Sequence, residues 1–284
     1  MKTLSVVLLA AAAITVAAQS RWENWKYDDT DKVQRSFDVG GSGAPKLLVD
    51  TLLGSVHVTA ASGKQIAVSV QKHARGRSPE AIADSKRDVK LDISQQGNYV
   101  RLYVDGPFRD HDGGTNYRGD DYYGYRVEYD FDVQVPADTE LDLHSLHGDI
   151  NVKGTTGDLD IHGFSGKVDL EDVSGSGNIR TFNGPMRVSF ARNPQRPTNF
   201  KTFNGGMEVF FKAPLNADLS TKTFNGGVYA DFDVTTLPLQ PVNSKGGHII
   251  YSSNVNRTSK SRVGSGGPLL SFEGFNGAIK LHAK

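Results

Sequence analysis

From Leu146 onward the apolar positions fall on a beat of nine. Gly148, Gly157, Gly166, Gly175 and Gly184 are nine residues apart. Two residues after them stand Ile150, Leu159, Val168, Gly177 and Met186; four after them stand Val152, Ile161, Leu170, Ile179 and Val188. Apolar residues on a period of two are the signature of a half-buried strand, and the glycine in front of each marks a tight corner. The beat then lengthens to 21. Thr-Phe-Asn-Gly recurs at 181–184, 202–205 and 223–226, with columns such as Met186, Met207, Val228 and Ile249, or Val188, Val209, Ala230 and Tyr251, running through the strands that follow. Phe-Asn-Gly returns at 275–277.

One arrangement accommodates both periods. Two nonapeptides form a coil of 18 residues with a strand on each flat side, and three extra loop residues make it 21. No coil buries its apolar side alone, so coils stack. The pattern therefore predicts an all-β chain: a single-domain parallel β-solenoid (β-helix) with coils of 18–21 residues, whose strands stack about 4.8 Å apart. Phe182, Asn183 and Gly184, Phe203, Asn204 and Gly205, and Phe224, Asn225 and Gly226 are its structural signature. Their phenylalanines are expected to form an interior ladder, one ring per coil. Outward residues Asp169, Arg187 and Glu208 form a column of alternating sign, which reads as a register device.

Upstream, residues 52–58 carry the same beat, and 89–93, 99–104 and 127–135 read as strands. Ser78-Pro79 opens a short helix, Ser as N-cap and Pro at the first helical position. The helix and the long loop 106–125 are insertions. Residues 19–35 are polar and expected to be loosely held; 36–284 form the domain.

The first residues change the picture of location. Lys2, an apolar stretch over 4–18 and the small residues Ala17 and Ala18 before Gln19 describe a secretory signal peptide over 1–18. The stretch is too short for a spanning helix, and no later apolar run is long enough to make a transmembrane segment in the mature chain. The periplasm, the outer surface or the medium is the expected destination.

Charge and cysteine content narrow the chemistry. Lys plus Arg and Asp plus Glu are 32 each, so no net charge draws the chain to nucleic acid. Cysteine is absent, which excludes disulfides, thiolate metal sites and a thiol nucleophile. A calcium roll needs an acid at every corner, yet Asp149 and Asp158 give way to Lys167, Ser176 and Pro185 in that slot. Asp158 and Asp160 form an outward acidic pair without an evident base. No catalytic residue and no metal ligand is assigned from the sequence.

The loop 106–125 concentrates acids and phenols: Asp110, Asp112, Tyr117, Asp120, Asp121, Tyr122 and Tyr123. Close carboxylates suit Ca²⁺ and tyrosines beside acids suit a sugar, so the loop is the expected ligand-binding segment. Ca²⁺ is a weak reading there, because the spacing fits no EF-hand; otherwise no cofactor is expected.

The stretch Val133-Gln134-Val135-Pro136-Ala137-Asp138-Thr139, then Leu141-Asp142-Leu143 and Gly148-Asp149-Ile150-Asn151-Val152, resembles the bacterial "putative adhesin" family of uncharacterised exported proteins, from about Phe37 onward. The resemblance implies a β-helix-like stack in the cell envelope and carries no catalytic residues with it. The function expected is that of an exported, non-enzymatic, adhesin-like cell-envelope or surface binding protein, with a cell-surface glycan or another envelope protein as partner. The alternative is a carbohydrate-active enzyme, a polysaccharide lyase or hydrolase on a β-helix frame.

Overall fold

Period-two alternation becomes strand throughout the computed structural model, which describes residues 25–110, 114–238 and 258–284. The signal segment, Asp112, Ile249 and Tyr251 lie outside the described residues. In chain order the strands are β1 (Tyr27–Asp38), β2 (Lys46–Leu53), β3 (Val56–Ala61), β4 (Gln65–Gly76), β5 (Lys90–Gln96), β6 (Tyr99–Asp105), β7 (Tyr125–Pro136), β8 (Glu140–His147), β9 (Ile150–Lys153), β10 (Leu159–Ser165), β11 (Val168–Val173), β12 (Gly177–Asn183), β13 (Met186–Phe190), β14 (Thr198–Asn204), β15 (Met207–Phe211), β16 (Ala217–Asn225), β17 (Val228–Ala230), β18 (Thr235–Thr236), β19 (Thr258–Val263), β20 (Leu269–Asn276) and β21 (Ile279–Ala283). Two helices are described, α1 (Pro79–Asp88) and α2 (Asp120–Tyr123). Part of the stretch 19–35, from Tyr27 onward, is thus strand.

The expected single parallel solenoid is not what the chain builds. It forms two large sheets, of 10 and 11 strands. The first runs β1-β4-β7-β3-β9-β11-β13-β15-β21-β17, the second β18-β19-β16-β20-β14-β12-β10-β8-β2-β6-β5. The second is mixed, because β19 pairs antiparallel with both β16 and β18. Its order also departs from a simple winding: the C-terminal β20 lies between β14 and β16, and β21 lies between β15 and β17. The physical reason is that Phe275-Asn276-Gly277 has the same shape as the other Phe-Asn-Gly corners. A strand carrying that signature is accepted at any rung, so sequence order does not dictate spatial order. Phe272 then supplies a larger apolar group beside Phe200 than Thr221 would, while the position beside Thr198 is leucine in either strand.

Where the nine-residue beat holds, it sets the register. Leu141 pairs with Leu159 and Leu159 with Gly177. Ile150 pairs with Val168, Val168 with Met186, and Met186 with Met207. Corner glycines permit this stacking. Gly184 has φ 153°, and a Cβ there would lie 1.9 Å from the carbonyl oxygen of Gly166. No side chain fits that approach.

By contacts the chain divides into two compact units. Among the described residues one holds 25–32, Gln71–Leu91, 104–110 and 114–128; the other holds Val33–Val70, Asp92–Tyr103, 129–238 and 258–284. In the larger unit the inward columns of both sheets meet. Phe190 and Phe200 pack edge to face at 6.2 Å, as do Phe211 and Phe272 at 6.5 Å. These rings and their neighbours Ile150, Val168, Met186 and Ile279 are buried. Burying each such side chain stabilises by about 1.5–3 kcal/mol. In the smaller unit α1 starts as the sequence predicts: Ser78 Oγ accepts from the Ala81 N–H at 3.2 Å and Pro79 opens the first turn.

Candidate functional site

The loop 106–125, in the smaller unit, turns most of its chemistry inward on itself. Tyr117 stacks on Tyr123 at 5.8 Å, and Tyr122 meets Tyr123 edge-on at 5.0 Å. The Tyr117 hydroxyl donates to Asp120, which also takes a 3.0 Å hydrogen bond from Arg126. Asp121 pairs with Arg77. Arg118 lies over the Tyr122 ring, 5.0 Å from its centroid. Burial works against the Arg126 charge, but hydrogen bonds to Glu128 and Asp120 outweigh it and hold its pKa above the ordinary value. The structure therefore brings Tyr117, Asp120, Tyr122 and Tyr123 together and gives Asp120 and Asp121 cationic partners. Asp110 donates its N–H to the Gly114 carbonyl at 3.0 Å, and Asp112 lies outside the described residues. Among the described residues no group of three or more His, Asp or Glu is arranged to hold a metal ion.

The larger unit offers two arrays, each larger than the few residues singled out in the sequence. The first is polar. Asp142 and Asp160 are direct partners on β8 and β10, as are His144 and His162. Each histidine ring lies against its own strand's acid: His144 Nε2 is 2.8 Å from Asp142 Oδ1, and His162 Nε2 is 3.0 Å from Asp160 Oδ1. The two imidazoles stack at 4.7 Å. Lys46 stands 3.7 Å from Asp142, and Arg196 hydrogen-bonds Asp158. Glu140, Asp142, Asp158, Asp160 and Asn178 line a shallow cleft of about 260 Å³. The acids Asp158 and Asp160 thus do have cationic or titratable neighbours. Sequence spacing hid them because Arg196 arrives from a loop 38 residues on. His162 is held below its ordinary pKa first by burial and next by His144, with Asp160 pulling the other way.

The second array is aromatic. Phe164, Phe182, Phe203, Phe275 and Phe224 stack in that order, with centroids 5.0, 4.6, 4.6 and 4.7 Å apart and planes within 8°. The expected interior ladder lies instead on the outside: Phe182 is 40% exposed and Phe224 52%. Alternation and the corner decide this. Ile179 and Thr181 point inward, so Phe182 points out. The inward position beside each corner takes Ser145, Gly163, Thr181, Thr202 and Gly274 along the stack. A Cβ on Gly163 would already lie 3.2 Å from Val168 Cγ2, so a ring has no room there. An amide ladder runs beside the rings. Asn204 donates to Asn183 at 2.7 Å, Asn276 to Asn204 at 2.7 Å, and Asn225 to Asn276 at 3.0 Å.

On the 10-strand sheet, Asp169, Arg187 and Glu208 are successive cross-strand partners, and Lys280 extends the column. Arg187 lies 3.7 Å from Glu208 and also covers the Phe210 ring at 4.8 Å. Every acid in the column has a base beside it.

No family model matches the chain, and no curated protein matches it. Solved structures resemble it weakly. A "putative cell adhesion protein" of Clostridium sporogenes is 11% identical, with a TM-score of 0.45 over 90% of this chain and 100% of that one. A "putative adhesin" of Bacteroides fragilis is 10% identical, with a TM-score of 0.37 over 89% and 97%. A "putative lipid binding protein" of Parabacteroides distasonis is 10% identical, with a TM-score of 0.27 over 89% and 97%. None of these reaches a similarity from which a function follows. Among the described residues no helix is long and apolar enough to cross a membrane.

Proposed function

We propose that this chain is an exported, non-enzymatic, adhesin-like binding protein that holds a component of the cell envelope on the outer face of its 11-strand sheet. The exposed phenylalanine ladder carries this reading. Five rings in one row form a contiguous apolar stripe on a surface the core does not need, and such stripes mark binding sites. The Asn ladder and the inward apolar columns hold the row rigid, so little order is lost when a partner docks. A chain without a net charge is suited to contact with a surface that is apolar in part.

The test is retention of the mature protein on isolated bacterial cell envelopes. Replacing Phe164, Phe182 and Phe224 by Thr, a good strand former, should abolish retention while the far-ultraviolet circular dichroism stays unchanged. Retention equal to the parent would refute the assignment of the surface. Loop 106–125 is the second surface to compare, and alanine at Tyr122 and Asp110 tests it in the same assay.

One observation favours the carbohydrate-active alternative, and it is the cleft of Glu140, Asp142, Asp158 and Asp160. Glycoside hydrolysis needs one acid kept protonated and one left ionised. Asp142 is paired with Lys46 and His144, Asp160 with His162 and Asp158 with Arg196, so three of the four acids are already engaged by their own partners, which supports binding over hydrolysis. Turnover of any polysaccharide that Asp160→Asn abolishes would reverse that preference.

A further inference from the structure

The aromatic row has a charged row beside it on the same face. Two residues before each ring stand, in spatial order, His162, Arg180, Lys201, Glu273 and Lys222. Lys201 and Glu273 neutralise one another at 3.0 Å. Arg180 and Lys222 remain as exposed cations, one on each side of that pair. The acidic cleft of β8 and β10 lies at one end of the row, and the cationic part spans β12 to β16.

Ring orientation selects the partner. The rings cover each other's faces at 4.6–5.0 Å, so what reaches solvent along the row is ring edge. A sugar ring that stacks on an aromatic needs its face, and within the row the faces are taken by neighbouring rings. The edges are apolar C–H groups carrying the positive end of the ring quadrupole. A flat strip of such edges, lined by two cations, matches the boundary between acyl chains and acidic headgroups in a bilayer. Aromatic rings favour that depth, and lysine and arginine beside them meet the phosphates.

We propose that the face formed by Phe164, Phe182, Phe203, Phe275 and Phe224 with Arg180 and Lys222 docks on an anionic lipid surface. This rests on the reading of the ladder as the binding surface and names its partner. The rings enter the interface without spanning it, and the cations set the preference for acidic lipid.

Co-sedimentation of the mature protein with vesicles tests the proposal. One set is phosphatidylcholine alone and the other is phosphatidylcholine mixed with phosphatidylglycerol. Binding should favour the mixed vesicles and weaken as salt is added. Arg180→Gln and Lys222→Gln should each weaken binding to the mixed vesicles about fivefold, because a cation near an acidic membrane contributes about 1 kcal/mol. Phe224→Thr, at the most exposed ring, should weaken binding to both sets. No binding to the mixed vesicles, or binding that none of these variants changes, overturns the proposal. So does ladder-dependent binding to a soluble acidic polysaccharide with none to vesicles. Retention on cell envelopes without vesicle binding also overturns it, yet leaves the ladder as the binding surface; loss of both removes the two readings together.

Discussion

Truncating single phenylalanines separates an outward stack from an inward one. Three rings at different depths make the comparison. Phe200 is 1% exposed, stacks on Phe272 at 4.9 Å and meets Phe190 edge-on, so Phe200→Ala should cost about 3–5 kcal/mol as a core truncation. Phe203 is half-buried and lies between two rings at 4.6 Å. Its loss removes about half the burial of a core ring together with two stacking contacts, each about 0.5–1.5 kcal/mol, so Phe203→Ala should cost about 2–3 kcal/mol. Phe224 is 52% exposed and stacks on Phe275 at 4.7 Å. Phe224→Ala should cost about 1 kcal/mol. At about 2–4 °C per kcal/mol for a chain of this size, melting temperatures should fall by about 5–10 °C for the middle rung and about 2–4 °C for the end rung. Thermal melts by circular dichroism read all three. Equal losses at Phe200 and Phe203 would put the ladder back inside. Equal losses at Phe203 and Phe224 would mean that the rings do not support one another.

The column on the other sheet predicts a salt effect. Arg187→Ala should cost about 1 kcal/mol or less, whereas Arg187→Glu sets three acids in line, and its larger loss should shrink as salt is added; urea melts at low and high salt read the difference, and a salt-independent Arg187→Glu would break the register. Because His162 takes up a proton less readily in the folded state than in the unfolded chain, stability should be full above the ordinary histidine pKa of about 6.5 and fall as the pH drops below it. His162→Gln should flatten that part of the pH profile, and an unchanged profile would count against the buried-imidazole explanation. Thr155 is fully buried and its hydroxyl has no hydrogen-bond partner among the described residues, so Thr155→Val should raise the urea midpoint, by up to about 1 kcal/mol in stability; a lower midpoint would show the hydroxyl to be satisfied.

The features legible in the residues alone are local ones. A glycine followed by apolar residues on a period of two has one low-energy use, a tight corner leading into a half-buried strand. Spacings of 18 and 21 were therefore legible as pairing registers, Ile150 with Val168 and Met186 with Met207. Ser78 and Pro79 announced α1 in the same way, because capping is an interaction between residues three apart. The acids and tyrosines of loop 106–125 could be counted, but their pairing with Arg77 and Arg126 could not. Three features came from long-range packing. Strand order was one: equivalent Phe-Asn-Gly corners compete for the same rungs, and β20 between β14 and β16 sets Phe272 on Phe200 where β16 would offer Thr221. The antiparallel return of β19 beside β16, which makes the sheet mixed, carries no local signature at all. The direction of the phenylalanine row was the last, since a one-residue shift in which positions count as inward turns a core ladder into a surface. That choice was made by the cramped space beside the corner, where Gly163 and Thr181 fit and a phenyl ring does not.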